Sequence, residues 1–410
     1  MIYLIIPLIT DTSKENMRTD ITPDKTRVYI CHTYYHAYMA AVRELAGWNG
    51  GSAEAASSAL HTASAETGAE VHREVSSEKS NADTHADIIL STMSNDFENL
   101  KSRLEASGVF RSVYMFDEKE DVTSDRVMSH HTDRGNLILN MIHRIIYTRE
   151  LGRLQEPYVP VDLSTYGDVY VFCDSDPIGY YLNYKKIPYH AIEDGLNSGR
   201  LDDQAHLSNP SAFGFKSMLA KTGLIFIECG YSRYCIDYEV NDISANHSVP
   251  PNVVELPHSR LIDRLSQHDH EILARIFIAD FDELESFIDH TGQDKPMAMI
   301  LTEPLCALDV RRRMFSDIID MYKSTHQVII KPHPRDLLDY SGEFPDVYVI
   351  KGRFPMEVLN DVPGLRIEKL ISVITQVDDI DFADEIVYLG LDFMDKYEAP
   401  DVHRRLDTLQ

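Results

Sequence analysis

Short runs that are apolar at almost every position, separated by stretches of helical length and periodicity, recur along most of this chain. Asp168-Val-Tyr-Val-Phe-Cys173, Met297-Ala-Met-Ile-Leu301 and Gln327-Val-Ile-Ile-Lys331 are three of them. A strand that is apolar on both faces must be covered on both, and strands alternating with helices supply that cover in a parallel sheet. The pattern predicts an α/β fold of two doubly wound, Rossmann-like domains. The first series has strands over 27–31, 86–92, 112–116, 168–173 and 188–192, with helices over 37–45, 96–107, 136–151 and 178–184. The second has strands over 297–301, 327–331, 347–350, 370–374 and 385–389, with helices over 310–324 and 355–359. The polar stretch 241–253, with Pro250 and Pro251, reads as the boundary region between them. The expected division is an extension over 1–26, domains over 27–255 and 256–390, and a tail over 391–410. Residues 50–83 are rich in Ala, Ser, Glu and Gly without lasting periodicity, which predicts a solvated insertion carrying no chemistry.

Charge narrows the ligand classes. Lys and Arg number 39 against 66 Asp and Glu, a net charge of −27. Such a field repels a phosphate backbone, so nucleic acid is excluded as a general partner, and an anionic ligand must meet a local positive or dipolar pocket. Five scattered cysteines without a C-x-x-C pair point to a reducing compartment. The opening apolar run, residues 1–10, is too short to span a bilayer and has no preceding basic region. Met17 is an alternative start. These features predict a cytoplasmic protein with at most peripheral membrane contact, for which Arg311, Arg312 and Arg313 offer a local basic patch. Oligomeric state is not encoded in any of them.

Two strand ends carry the chemistry. The first is Lys331-Pro332-His333-Pro334, where a buried strand ends in a cation and a histidine bracketed by prolines, followed by Asp336 as a cap for the next helix. Ligands in open α/β sheets bind beyond the carboxyl ends of strands, and the prolines hold the imidazole with little entropy left to lose. This site suits a phosphate. The second is Glu193-Asp194-Gly195, at the end of a strand in the first half. Neighbouring side chains alternate across a strand, so at most one carboxylate faces a cleft, exposed by a sharp turn at Gly195. A carboxylate so placed can act as general base toward a substrate hydroxyl. The spacing in His32-Thr-Tyr-Tyr-His36 lacks the Glu of H-E-x-x-H and a third ligand, so it reads as a strand-end loop facing the cleft, and no metal site is expected.

With one motif per domain, in this order, the sequence resembles the bacterial GT-B sialyltransferases, and most closely the lipooligosaccharide sialyltransferases of glycosyltransferase family 52. The surrounding text agrees: Asp174-Ser-Asp-Pro177, Ile300-Leu-Thr-Glu-Pro304 and Phe354-Pro-Met-Glu357. The resemblance implies an inverting transfer of sialic acid from CMP-sialic acid to a glycan acceptor, with no cofactor. It assigns Glu193 as base supported by Asp194, the reverse being open, and His333 as the partner of the departing phosphate, with Lys331 compensating charge. It assigns Glu357 to the nucleotide ribose and Ser372 to the phosphate, although the family's paired hydroxyls are here split between Ser372 and Thr375. Thr302 is a further phosphate or nucleotide contact. A CDP-glycerol or CMP-Kdo transferase, a metal-dependent phosphoesterase built on His32, His36 and His333, and a non-catalytic binder are the alternatives. The acceptor, lipid-linked or free, stays open between lipooligosaccharide, capsule repeat and sialic acid.

Overall fold

The computed structural model describes residues 25–47, 86–97, 99–130, 133–195, 204–246, 248–291, 295–304, 306–333, 336–375, 377 and 380–400. The expected insertion over 50–83, Pro334 and most of the N-terminal extension lie outside the described residues. Among the described residues twelve strands form two wholly parallel sheets. In chain order they are β1 Lys25–Cys31, β2 Ala86–Ser91, β3 Ser112–Phe116, β4 Tyr166–Phe172, β5 Tyr189–Ile192, β6 Cys235–Val240 and β7 Val253–Glu255. The second sheet contains β8 Met297–Leu301, β9 Gln327–Lys331, β10 Tyr348–Val349, β11 Ile367–Ser372 and β12 Ala383–Tyr388. Their orders, β3-β2-β1-β4-β5-β6-β7 and β10-β9-β8-β11-β12, each reverse direction beside the first strand. These are doubly wound sheets, with switch points between β1 and β4 and between β8 and β11.

The apolar-throughout strands are explained by what covers them. In β1, Tyr29 and Cys31 face one cluster while Val28 and Ile30 face another, and all four are buried. Helix α1, Tyr34–Leu45, covers the first face; α2 is Leu100–Ser107 and α3 is Leu137–Gln155; α4, Pro177–Lys185, covers the second face through Ile178, Tyr181 and Leu182. Helix α5, Phe213–Ala220, packs by Leu219 and Ala220 near α3. Helices α6, Gln267–Phe277, and α7, Phe281–Thr291, join the two sheets, and their Leu273, Phe277, Phe281 and Leu284 belong to a core that contains residues of both. These two helices and β6 and β7 have no counterpart in the sequence reading. Helix α8, Leu308–Tyr322, seals the far face of the second sheet with Met314, Phe315 and Ile318. Residues 355–359, expected as a helix, form instead a 3-10 turn over Met356–Asp361.

The carboxyl ends of the two sheets face each other. Arg353, beyond β10, pairs with Asp96, beyond β2, at 3.3 Å. Tyr38 of α1 lies within electrostatic range of Asp361 and Glu357. This is the GT-B arrangement implied by the resemblance. All five cysteines are free thiols. Among the described residues no helix is long and apolar enough to cross a membrane.

Candidate active site

The strand ends of the first sheet converge on a buried polar cluster. His32 follows β1 directly; its Nδ1–H donates to the Phe172 carbonyl at 3.0 Å, and its Nε2–H reaches Glu118 at 2.9 Å and Asp176 at 3.4 Å. Glu118 also accepts from the Ser91 hydroxyl and from the Ile178 N–H, each at 2.6 Å, so it caps the first turn of α4. That turn lies hard against the chain before it: a Cβ on Gly179 would meet the Asp174 carbonyl at 2.0 Å, so only glycine fits. Burial disfavours the His32 imidazolium, but Glu118, Asp176 and the Phe172 carbonyl outweigh it and push the pKa up to about 9.

His32 also sets its neighbour. Its backbone N–H donates to His36 Nδ1 at 3.1 Å, which places the proton of a neutral His36 on Nε2. Burial holds His36 below its ordinary pKa, and the ring stacks on Phe172 at 5.0 Å. Nε2–H then points at Asp194, 2.6 Å from its carbonyl oxygen and 3.0 Å from its carboxylate. That hydrogen bond is the leading reason the Asp194 pKa lies below the carboxylate norm.

The two acidic neighbours are divided as strand alternation requires, with the buried and exposed positions opposite to those the expected roles call for. Glu193, expected as the base, is 2% exposed and accepts the Asn241 N–H at 2.6 Å, tying β5 to the chain beyond β6. Asp194, expected as support, has a side chain 59% exposed. A register shift between Tyr189 and Ala191 precedes the pair and re-aims the end of β5. Gly195 is not needed for the sharp turn expected of it: its φ lies outside the left-handed region, and a Cβ there would meet nothing within 4 Å.

In the second domain the expected ligand contacts turn out to be the frame of the His333 loop. Asp336, expected as a helix cap, is instead a hub. It accepts from the Thr302 hydroxyl and the Tyr340 hydroxyl, each at 2.8 Å, from Leu338 N–H at 3.1 Å and from Arg311 at 2.5 Å. Thr302 in turn accepts the His333 N–H at 3.0 Å. Thr302, expected as a phosphate or nucleotide contact, is thus a buried bracket between Asp336 and the His333 backbone. Ser372, expected at the phosphate, is also buried, its hydroxyl 2.9 Å from Glu303 and 2.8 Å from the Thr375 carbonyl. Glu303 takes the Ile374 and Thr375 N–H groups as well and so shapes the loop after β11. Lys331 points inward, donating to the Pro332 and Phe354 carbonyls at 3.2 Å beneath the Phe354 ring. Burial draws its pKa down to about 8 despite nearby Glu357. It fixes the segment leading into Glu357 rather than facing a ligand. Of the three arginines expected as a basic patch, Arg311 is buried against Asp336 and Arg312 pairs with Glu343 at 2.6 Å, while Arg313 is exposed.

The sequence reading missed Glu118, Asp176 and Glu303 as structural members and undervalued His32 and His36. The available signal was the pair of histidines four apart at a strand-to-helix junction. Neither suits a metal, because both His32 nitrogens donate and His36 Nδ1 already accepts. His190, Asp237 and Glu239 also bring donor atoms within 4.8 Å of one another. There, however, Glu239 pairs with Arg43 at 2.7 Å. Burial opposes the His190 charge, but Asp168 and Asp237 push its pKa up to about 9.

A pH dependence of stability follows from these two histidines. Both have folded-state pKa values of about 9, above the ordinary 6.5, so their contribution is fully present below pH 6.5 and is lost as pH rises through 9. The melting temperature should fall between pH 7 and pH 9.5, and His190→Asn should flatten part of that slope. An unchanged slope in the variant would remove His190 from the account.

An uncharacterized protein of Haemophilus influenzae is 38% identical over 60 residues, which cover 15% of this chain and 19% of that protein. An α/β-galactoside α-2,3-sialyltransferase of Photobacterium phosphoreum is 10% identical with a TM-score of 0.45, over 89% of this chain and 91% of that one. The GT-B domain of a sialyltransferase of Photobacterium damselae is 12% identical with the same TM-score, over 89% and 90%. A UDP-GlcNAc 2-epimerase of Neisseria meningitidis is 12% identical with a TM-score of 0.38, over 84% and 76%. These structural likenesses are too distant to bear on the reaction. The family model for glycosyltransferase family 52, by contrast, matches residues 119–375, more than half of the chain and the stretch that holds both motifs, and the chain belongs to that family of glycosyltransferases.

Proposed function

We propose that this glycosyltransferase is a sialyltransferase that moves sialic acid from CMP-sialic acid to a glycan hydroxyl, with inversion and without a metal. The observation that carries the proposal is the half-exposed Asp194 carboxylate, held ionised by His36 at the carboxyl end of β5, in the sheet whose carboxyl end meets the second domain through Asp96 and Arg353. Asp194 takes the proton of the acceptor hydroxyl as its oxygen bonds to the sialyl anomeric carbon. The bond from that carbon to the CMP phosphate oxygen breaks with its electron pair, and the departing phosphate is met by His333. A single displacement from the opposite side inverts the centre. A monophosphate leaving group needs less charge neutralisation than a nucleoside diphosphate, so a histidine and backbone N–H groups suffice in principle. Glu357 is the proposed ribose partner, on a segment anchored by Lys331. Glu193 is a strut and not the base.

Another cytidylate-activated donor is the competing reading within the same architecture. Calorimetric titration with CMP, CDP and UDP in the presence of EDTA separates the two. Selective CMP binding is expected, followed by turnover of CMP-sialic acid when a galactose-ended acceptor is added. Preference for CDP or UDP, or no nucleotide binding by folded protein, would overturn the proposal.

A further inference from the structure

In a chain with 66 acidic residues and a net charge of −27, residues 25–43 and 177–192 hold no acidic residue but are largely buried, whereas two more exposed segments also hold none: 134–149, largely α3, and 204–227, which includes α5. They contain instead Arg134, Arg144, Arg149, Lys216 and Lys221. The two segments are neighbours, because Met141 and Ile145 of α3 pack on the cluster of Ala205, Ala220, Ile225 and Ile227. Their outer faces are apolar. Ile138 is 71% exposed, Leu207 59%, Met218 54% and Phe215 49%, with Leu139, Ile142 and Leu224 similarly open. Isolated exposed apolar residues are ordinary, but their concentration in two adjoining segments marks a binding surface.

Between these segments lies a cavity of about 460 Å³, lined by Arg144 and Lys216 together with polar groups such as Asn140, Ser208 and Ser211. Burial, and secondarily the charge of Arg144, lowers the Lys216 pKa, so two cations share this space. One carboxylate, Asp133, lies at its wall, and it is occupied by Gly135 N–H and Asn140.

We infer that this face, made by α3 and α5, docks the enzyme on an anionic phospholipid bilayer, with Ile138, Phe215 and Met218 entering the interface and Arg144 and Lys216 receiving lipid phosphate. Charge complementarity selects this occupant. A second copy meeting the same face about a two-fold axis would bring like cations together. An anionic lipid surface attracts them, while the apolar side chains gain burial among the acyl chains. The face is also joined to the site. Gln204 lies nine residues beyond Gly195, so its backbone is within about 30 Å of it even if the chain between is extended. Delivery of a lipid-borne acceptor toward Asp194 is a purpose that rests on the proposed transfer, whereas the docking itself does not.

The test is sedimentation of the full chain with vesicles of phosphatidylglycerol and phosphatidylethanolamine, against vesicles of phosphatidylcholine. Binding to the anionic vesicles is expected, weakening with salt, and at least about tenfold weaker on phosphatidylcholine. Lys216→Glu with Lys221→Glu should weaken it by about 25-fold or more, at about fivefold for each lost lysine. Phe215→Ser with Met218→Ser should weaken it at unchanged charge. Transfer to a short soluble acceptor should stay within about twofold in every variant. Equal binding to both vesicle types, or binding that neither pair of substitutions reduces, would overturn the inference. So would a dimer in light scattering that the Phe215 and Met218 substitutions dissociate, since a second copy would then own the face. Absence of soluble-acceptor activity in the unaltered protein would count against the transfer reading and leave vesicle binding to be judged separately.

Discussion

Asp194→Asn should lower sialyl transfer by about 10²- to 10⁴-fold, the usual reach of a lost general base, with CMP affinity and melting temperature almost unchanged. The amide keeps an oxygen that can accept from His36 Nε2–H, so the local geometry survives while proton acceptance is lost. Glu193→Gln should behave oppositely. Its amide oxygen can still take the Asn241 N–H, but the buried site now holds an NH₂ group in place of a carboxylate oxygen, so stability falls by about 1–3 kcal/mol. Transfer measured well below the melting point should change by less than about tenfold. The reverse ranking of the two variants would return the base to Glu193. The acid limb gives a second readout. Because His36 lowers the Asp194 pKa, kcat/KM should hold into the acidic range, and His36→Phe should move that limb upward in pH. A variant that loses activity equally at all pH values would reduce His36 to packing.

The fold was legible where burial on both sheet faces forces one composition. Met297–Leu301 and Gln327–Lys331 sit as read, since every position inside them meets a core. Residues 258–291 were not legible as a unit, because α6 and α7 serve two domains at once and no local pattern announces a shared core. The site shows the same limit. Sequence places both motifs at strand ends, where the structure also has them, but does not say which way a side chain turns there. Alternation allowed one outward carboxylate at positions 193 and 194 and did not say which. Thr302, Ser372 and Lys331 have residue types that suit phosphate, and all three are drawn inward by partners far away in sequence: Asp336, Glu303 and the Phe354 carbonyl. The reading assigned them to ligand because their competing partners were invisible. His32 illustrates the converse. Its importance comes from Glu118, 86 residues on, and no spacing rule connects the two.

Asp336→Ala should have the largest effect on stability and also weaken CMP binding. The Asp336 side chain is closed to solvent, and Arg311, 7% exposed, pairs with it at 2.5 Å. Removing one member of a buried pair strands the other, at a cost of about 3–5 kcal/mol. Arg311 would keep only its bond to the Cys306 carbonyl, while the Thr302 and Tyr340 hydroxyls would each lose an acceptor. Thr302 orients the His333 N–H, so the loop proposed to meet the phosphate loses its bracket, and CMP affinity should fall by at least about tenfold, one hydrogen-bonded contact's worth. Loss of stability alone does not predict that. Arg43→Met provides the comparison, since it strands buried Glu239 in the first domain with a similar cost and should leave CMP affinity intact. Urea midpoints and calorimetry on both variants separate the cases. If both lose affinity alike, the second domain is merely fragile and Asp336 has no special bearing on the phosphate. If Asp336→Ala does not fold, Asp336→Asn retains an acceptor for Thr302 without the charge for Arg311. It should then lose stability while holding most of its affinity, because the bracket on His333 needs the oxygen and not the charge.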